Sequence, residues 1–167
     1  MGAKIVWLVG LPGSGKTTIV KNINKKQFAN IQTMDLDTMI ESVLGKPCRE
    51  LVEEDEEKFR LSEKIFVESI IKASKDHIGT VVVSLGGGAP CYNNVMKLLK
   101  SSGTVVYVLR NIDNITNWRT KEELVKLYNE RHSIYEEANL YFDNNSQDAY
   151  KEFGRFLVKN GLAKFVN

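Results

Sequence analysis

Cysteine is scarce in this sequence. Cys48 and Cys91 are the only two, far apart, with no C-x-x-C pair and no Cys/His cluster at zinc spacing. That argues against a zinc module and a disulfide scaffold, and points to two reduced thiols in a cytosolic protein. No apolar run approaches the ~20 residues that span a bilayer. Proline stands only at 12, 47 and 90, and no Pro/Gly-rich linker, internal repeat or low-complexity tract divides the chain. Charge of one sign is missing too. The 23 Lys and Arg are nearly balanced by 21 Asp and Glu, giving net +2, without the basic excess usual in a nucleic-acid binder. Met1-Gly2 begins like a myristoylation signal, but Val6 stands where Ser or Thr is required. These absences predict one domain over residues 1–167, cytoplasmic and monomeric, with no nucleic-acid or membrane partner.

What is present is an alternation. Three short apolar runs rich in β-branched residues, 4–9, 80–85 and 104–109, have the continuity of buried parallel strands. Weaker runs at 31–34 and 139–142 are candidate strands as well. Helical spacing falls between them, at 16–26, 37–44, 53–75, 92–100, 112–138 and 147–160. Strands alternating with helices predict an α/β fold with a parallel sheet covered on both faces.

The most informative segment is Gly10-Leu11-Pro12-Gly13-Ser14-Gly15-Lys16-Thr17, followed by Thr18. It matches G-x-x-x-x-G-K-[ST] in full, after a strand and before a helix. Its glycines let backbone N–H groups wrap an anion, and the helix N-terminus adds partial positive charge. Lys16 is expected to reach the β- and γ-phosphates of ATP, and the Thr17 hydroxyl to ligate Mg²⁺. This motif predicts a three-layer α/β/α fold of the P-loop NTPase type with five parallel strands. The apolar stretch 5–11 is therefore a strand entering the loop and not a signal peptide. No guanine-reading Asn-Lys-x-Asp follows a strand, which argues against a GTPase. Asp76-His77-Ile78-Gly79 spells D-x-x-G but precedes a strand, so it is read as chance.

Three further elements concern the acceptor. Asp35-Leu36-Asp37 follows the second strand, at the sheet edge where ligands bind in such folds. Phe59-Arg60 and Glu63 lie on the long helix. Ser84-Leu85 runs into Gly86-Gly87-Gly88 after the third strand. Together with Ile40-Glu41, Glu56, Arg131, Tyr135 and Ala138, this ordered set resembles the shikimate kinase family over residues 4–143.

The resemblance implies transfer of the γ-phosphate of ATP to the 3-hydroxyl of shikimate. It implies that Arg60 and Arg131 grip the substrate carboxylate, and that Asp37 orients the attacking hydroxyl, as its base where one acts. Asp35 would hold Mg²⁺ through water, and Gly86 to Gly88 would close on the flat substrate. Arg119 matches the Arg that stacks on adenine at the base of the family's mobile lid, and is expected to act in catalysis.

The lid itself departs from the pattern. The family's Arg-Pro-Leu-Leu is absent, and the stretch from Tyr107 to Arg131 is about ten residues short of the usual length. The remnant falls within 112–126, reduced to something around 120–123, with a continuous helix as one form. Arg110 and Lys121 are candidates for the missing lid Arg. The loop at 143–147 also lacks the family's Arg and Pro beside adenine. A kinase of another small hydroxy-acid, or a non-catalytic binding relative, therefore stays open, although intact Lys16, Thr17, Asp35 and Asp37 favour an active shikimate kinase.

Overall fold

A computed structural model describes residues 2–167. Five strands form one sheet: β1 (Lys4–Val9), β2 (Ile31–Asp35), β3 (Thr80–Ser84), β4 (Thr104–Leu109) and β5 (Leu140–Asp143). Their order is β2-β3-β1-β4-β5, and every neighbouring pair is parallel. All five expected strands are present, the weak ones included.

The seven α-helices among the described residues are α1 (Lys16–Asn22), α2 (Leu36–Leu44), α3 (Cys48–Glu54), α4 (Glu56–Ser74), α5 (Val95–Ser102), α6 (Lys121–Tyr135) and α7 (Phe153–Lys159). Alternation along β1 shows how they cover the sheet. Ile5, Trp7 and Val9 point into one core with Leu36, Ile40, Val67, Leu99 and Tyr135, from α2, α4, α5 and α6. Val6 and Leu8 point into the other, with Ile19 of α1 and Phe153 and Leu157 of α7. Both faces of the strand are apolar because both are covered. Each such fully buried Leu or Val contributes about 1.5–3 kcal/mol over an exposed one.

Strand register sets the site. Leu8 and Asp35 both pair with Ser84, so β1, β2 and β3 end level. The segments that follow them therefore emerge side by side at one edge. β1 also lies between β3 and β4, where the chain's crossovers change direction, the crevice in which ligands bind in open α/β sheets.

The helix expected over 16–26 ends at Asn22 and is followed by a 3₁₀ turn (Lys25–Gln27), and three others differ from expectation as well, two of them through a side-chain cap. The helix expected over 53–75 is broken at Asp55. Its N–H closes α3 on the Leu51 carbonyl (3.1 Å), while its carboxylate accepts from Lys58 N–H (3.1 Å) and starts α4. The helix expected over 112–138 is a 3₁₀ turn (Ile112–Asn114), a loop and then α6. Thr120 begins α6 in a capping box: its hydroxyl accepts from Glu123 N–H (3.2 Å), and Glu123 accepts from Thr120 N–H (2.8 Å). The helix expected over 147–160 opens with the turn Ala149–Glu152 before α7.

Candidate active site

The phosphate end is one tight loop. Gly15 caps α1 at φ 98°, in the left-handed region, with the Asn144 amide packed where a side chain would stand. Asn144, itself buried, donates to the Ser14 carbonyl (2.7 Å) and so ties the loop after β5 to the P-loop. Lys16 is buried, and its ammonium donates to the carbonyls of Gly10 (2.8 Å) and Leu11 (2.8 Å) and to the Ser14 hydroxyl (3.3 Å). Burial pushes its pKa down to about 8, although the negative charges of Asp37 and Asp35 oppose this. Pro12, Gly13, Gly15, Lys16, Thr17 and Thr18 line a cleft of about 750 Å³. Gly10, Leu11 and Ser14 are buried beneath it and shape the loop from inside.

Beside the loop stand the two aspartates. Asp35 caps α2, with one carboxylate oxygen accepting from Thr38 N–H (2.9 Å). The other accepts from the Thr17 hydroxyl (2.6 Å). The two residues expected to serve Mg²⁺ are thus brought together. No cluster of three His, Cys, Asp or Glu that could hold a metal occurs among the described residues. A hydroxyl beside one carboxylate nevertheless fits Mg²⁺, which takes few protein ligands and keeps its waters and phosphate oxygens. Asp37, in the first turn of α2, faces the cleft. Burial, then the neighbouring Asp35, raises its pKa above the usual carboxylate range, against the pull of Lys16.

The acceptor end is assembled around the three glycines. Arg60 of α4 donates to Glu63 (2.6 Å) and Glu56 (3.4 Å), and its guanidinium lies where a side chain on Gly88 would stand. Arg131 of α6 reaches toward Gly87. Tyr135, fully buried one turn further along α6, donates to the Gly87 carbonyl (2.5 Å), which fixes this helix against the glycine loop. Asp37 and Glu63 converge on Gly86. The glycines therefore make room for the charged side chains. Glu63 is buried, and one of its oxygens has no hydrogen-bond partner. Burial pushes its pKa up to about 7, with Arg60 pulling the other way. Arg60 and Arg131 thus line the same cleft from two helices.

Arg119 lies at the rim. Its guanidinium sits 4.2 Å from the centre of the Trp118 ring, and burial, then Arg131, lowers its pKa. Asn117 donates to the Pro12 carbonyl (3.3 Å), anchoring this loop on the P-loop. The two candidates for the missing lid Arg are engaged elsewhere. Lys121 is exposed and paired with Asp113 (2.6 Å). Arg110 lines the cleft, but donates to the carbonyls of Asn114 (2.9 Å) and Asn144 (3.0 Å). Sequence reasoning missed Arg49, Trp118 and Asn144. None belongs to a motif, and only Trp118, an aromatic beside Arg119, carried any local signal.

A cleft with a P-loop at one end, two arginines at the other and an aspartate between them defines a kinase of small anionic molecules. A sequence model of the family described as Shikimate kinase matches residues 12–160. The chain is 36% identical over 153 residues to the shikimate kinase of Corynebacterium jeikeium, covering 91% of this chain and 77% of that one. It is 30% identical over 181 residues to the enzyme of Parabacteroides distasonis, with 98% and 99% covered. The crystal structure of shikimate kinase from Bacteroides thetaiotaomicron superposes with a TM-score of 0.78 at 26% identity, covering 95% and 99%. The chain belongs to the shikimate kinase family.

Proposed function

We propose that this protein uses ATP to phosphorylate the 3-hydroxyl of shikimate, with the roles of individual residues as follows. The observation that carries the reading is the layout of a single cleft, with Lys16 and Thr17 at one end, Arg60 and Arg131 at the other and Asp37 between them. Phosphoryl transfer needs little covalent help from the protein; it needs positioning and neutralised charge. Lys16 leaves the loop carbonyls for the phosphates. Thr17 and Asp35 are the residues to hold Mg²⁺, which when bound spreads the phosphate charge. Arg60 and Arg131 take the acceptor carboxylate, each charge-assisted bond being worth ~1.5–3 kcal/mol. Asp37 accepts a hydrogen bond from the hydroxyl and aims it. Its raised pKa makes it a competent proton acceptor as the oxygen attacks. Arg119 contributes positive charge at the nucleotide side.

The compartment and the monomeric state belong to this proposal too. Cys48 and Cys91 are unpaired, as a reducing cytoplasm favours. No helix among the described residues is long and apolar enough to cross a membrane. The lid remnant expected around 120–123 is instead the capped start of α6, so the shortened lid is, on this reading, the loop at 115–120.

The test is a coupled ADP-release assay with Mg-ATP, with and without shikimate, beside a panel of sugar acids. Shikimate-dependent release above every other acid is expected. Release that responds to a sugar acid and not to shikimate would reassign the acceptor.

A further inference from the structure

Trp118 is 58% exposed, yet it stands at the mouth of a cleft that must exclude water. A large exposed indole calls for a reason. It is not packed for the core, and two cations hold it. The guanidinium carbon of Arg49, on α3, lies 4.2 Å from the ring centre, and that of Arg119 lies at the same 4.2 Å. Such contacts draw on the negative face of the aromatic ring. The two arginines come from different sides of the cleft. Arg49 belongs to the acceptor side, where α3 packs against α2 and α4. Arg119 belongs to the loop anchored on Pro12, its N–H donating to Asn117 (2.9 Å). The ring therefore joins the two rims.

Burial, then the charge of Arg131, disfavours the Arg119 cation; Glu123 favours it, and Arg49 adds a smaller unfavourable contribution. Glu53 meets Arg49 (3.1 Å), but both side chains are well exposed there and the pair is weak.

We propose that Trp118 is a clasp, gripped by Arg49 and Arg119, that holds the two rims of the cleft together and keeps water from the transferring phosphoryl group. The inference rests on the kinase reading above. Arg49 and Trp118 are positioning residues. Without the clasp, water takes the place of the acceptor hydroxyl, and ATP is hydrolysed to ADP and phosphate.

The experiment measures ADP and phosphorylated shikimate in the same reactions, for wild type, Trp118→Leu, Trp118→Phe and Arg49→Ala. Wild type should release the two in step. Trp118→Leu should release ADP in excess, with kcat/KM for shikimate down on the order of tenfold. Trp118→Phe keeps a ring for the cations and should recover most of both. A purely structural role would lower Tm and leave the two products in step, and that result overturns the proposal. A second measurement is independent of the acceptor. Trp7, the other tryptophan, is fully buried, so acrylamide quenching reports on Trp118. Arg49→Ala should raise that quenching in the free protein, and unchanged quenching overturns the clasp. Absence of shikimate turnover in wild type would instead overturn the kinase reading, with the quenching result still deciding the clasp.

Discussion

The two ends of the cleft hold charge in different ways. The phosphate end is contiguous: Gly10 to Thr17 curl on themselves, and Lys16 is fixed by carbonyls of its own loop. The acceptor end is assembled from α2, α4, the loop after β3 and α6, and is held by the hydrogen bonds of Arg60 to two carboxyl groups and by one tyrosine hydroxyl. The first is a property of backbone conformation. The second is a property of packing between distant segments. A substitution at the first should act on one function with little structural cost, whereas at the second it should reveal which charges are free to bind and which are already spent on the fold.

The sharpest test of that contrast is Lys16→Ala. It removes a cation that is buried and therefore costly to keep charged. Turnover should fall by about 10²–10³-fold or more, while Tm stays level or rises. A collapse of Tm would mean that the lysine holds the loop together and would erase the contrast. In wild type the same group has a pH signature. Its pKa lies near 8, so kcat/KM for ATP should decline as pH rises through that value. Stability moves the other way. The unfolded chain binds the extra proton between about 8 and 10.5, so folding gains as pH rises across that window.

At the acceptor end, Arg60 and Arg131 should not behave alike. Arg60 is bonded to two carboxylates, and Arg131 to none among the described residues. Arg131→Ala therefore removes an available charge and should raise the KM for shikimate roughly 10- to 150-fold. The KM for ATP should change by less than about threefold, on the view that Arg131 reaches only the acceptor. Equal effects on both would place Arg131 on the nucleotide. Arg60→Ala also strands Glu63 as a buried carboxylate, so it should lower Tm as well as affinity.

How much of this could be read in advance follows the same division. The sheet and the P-loop were legible because their signals are local: continuous apolar runs, and eight adjacent residues with one chemistry. Asp37, Arg60, the glycines and Arg131 were legible only through their ordered spacing in a family, since each alone is an ordinary surface residue. Arg49 and Trp118 were not legible. Sixty-nine positions separate them in the sequence, and only the fold brings the guanidinium over the ring. The helix breaks at Asp55 and Thr120 were written as caps, but a strong helical pattern on either side hid them. The partnerless oxygen of Glu63 depends on burial, which spacing on α4 does not reveal.

That oxygen supports the smallest effect. Glu63 is held near pKa 7 by burial, against 4.5 in the unfolded chain. Between these values the folded state keeps a proton that the unfolded state releases. The stability that Glu63 contributes is therefore complete below about 4.5 and is lost as pH rises through about 7. Glu63→Gln cannot titrate, yet its amide oxygen can still accept from Arg60. Measured from pH 5 to pH 8, the Tm of wild type should fall by a few degrees relative to that of the variant, and the shikimate KM of the variant should stay within about threefold of wild type at pH 8. Parallel Tm profiles would mean that Glu63 is ionised throughout. In that case Arg60 outweighs burial, and the acceptor end is held by a full ion pair instead of a hydrogen bond to a carboxyl that is half protonated at neutral pH.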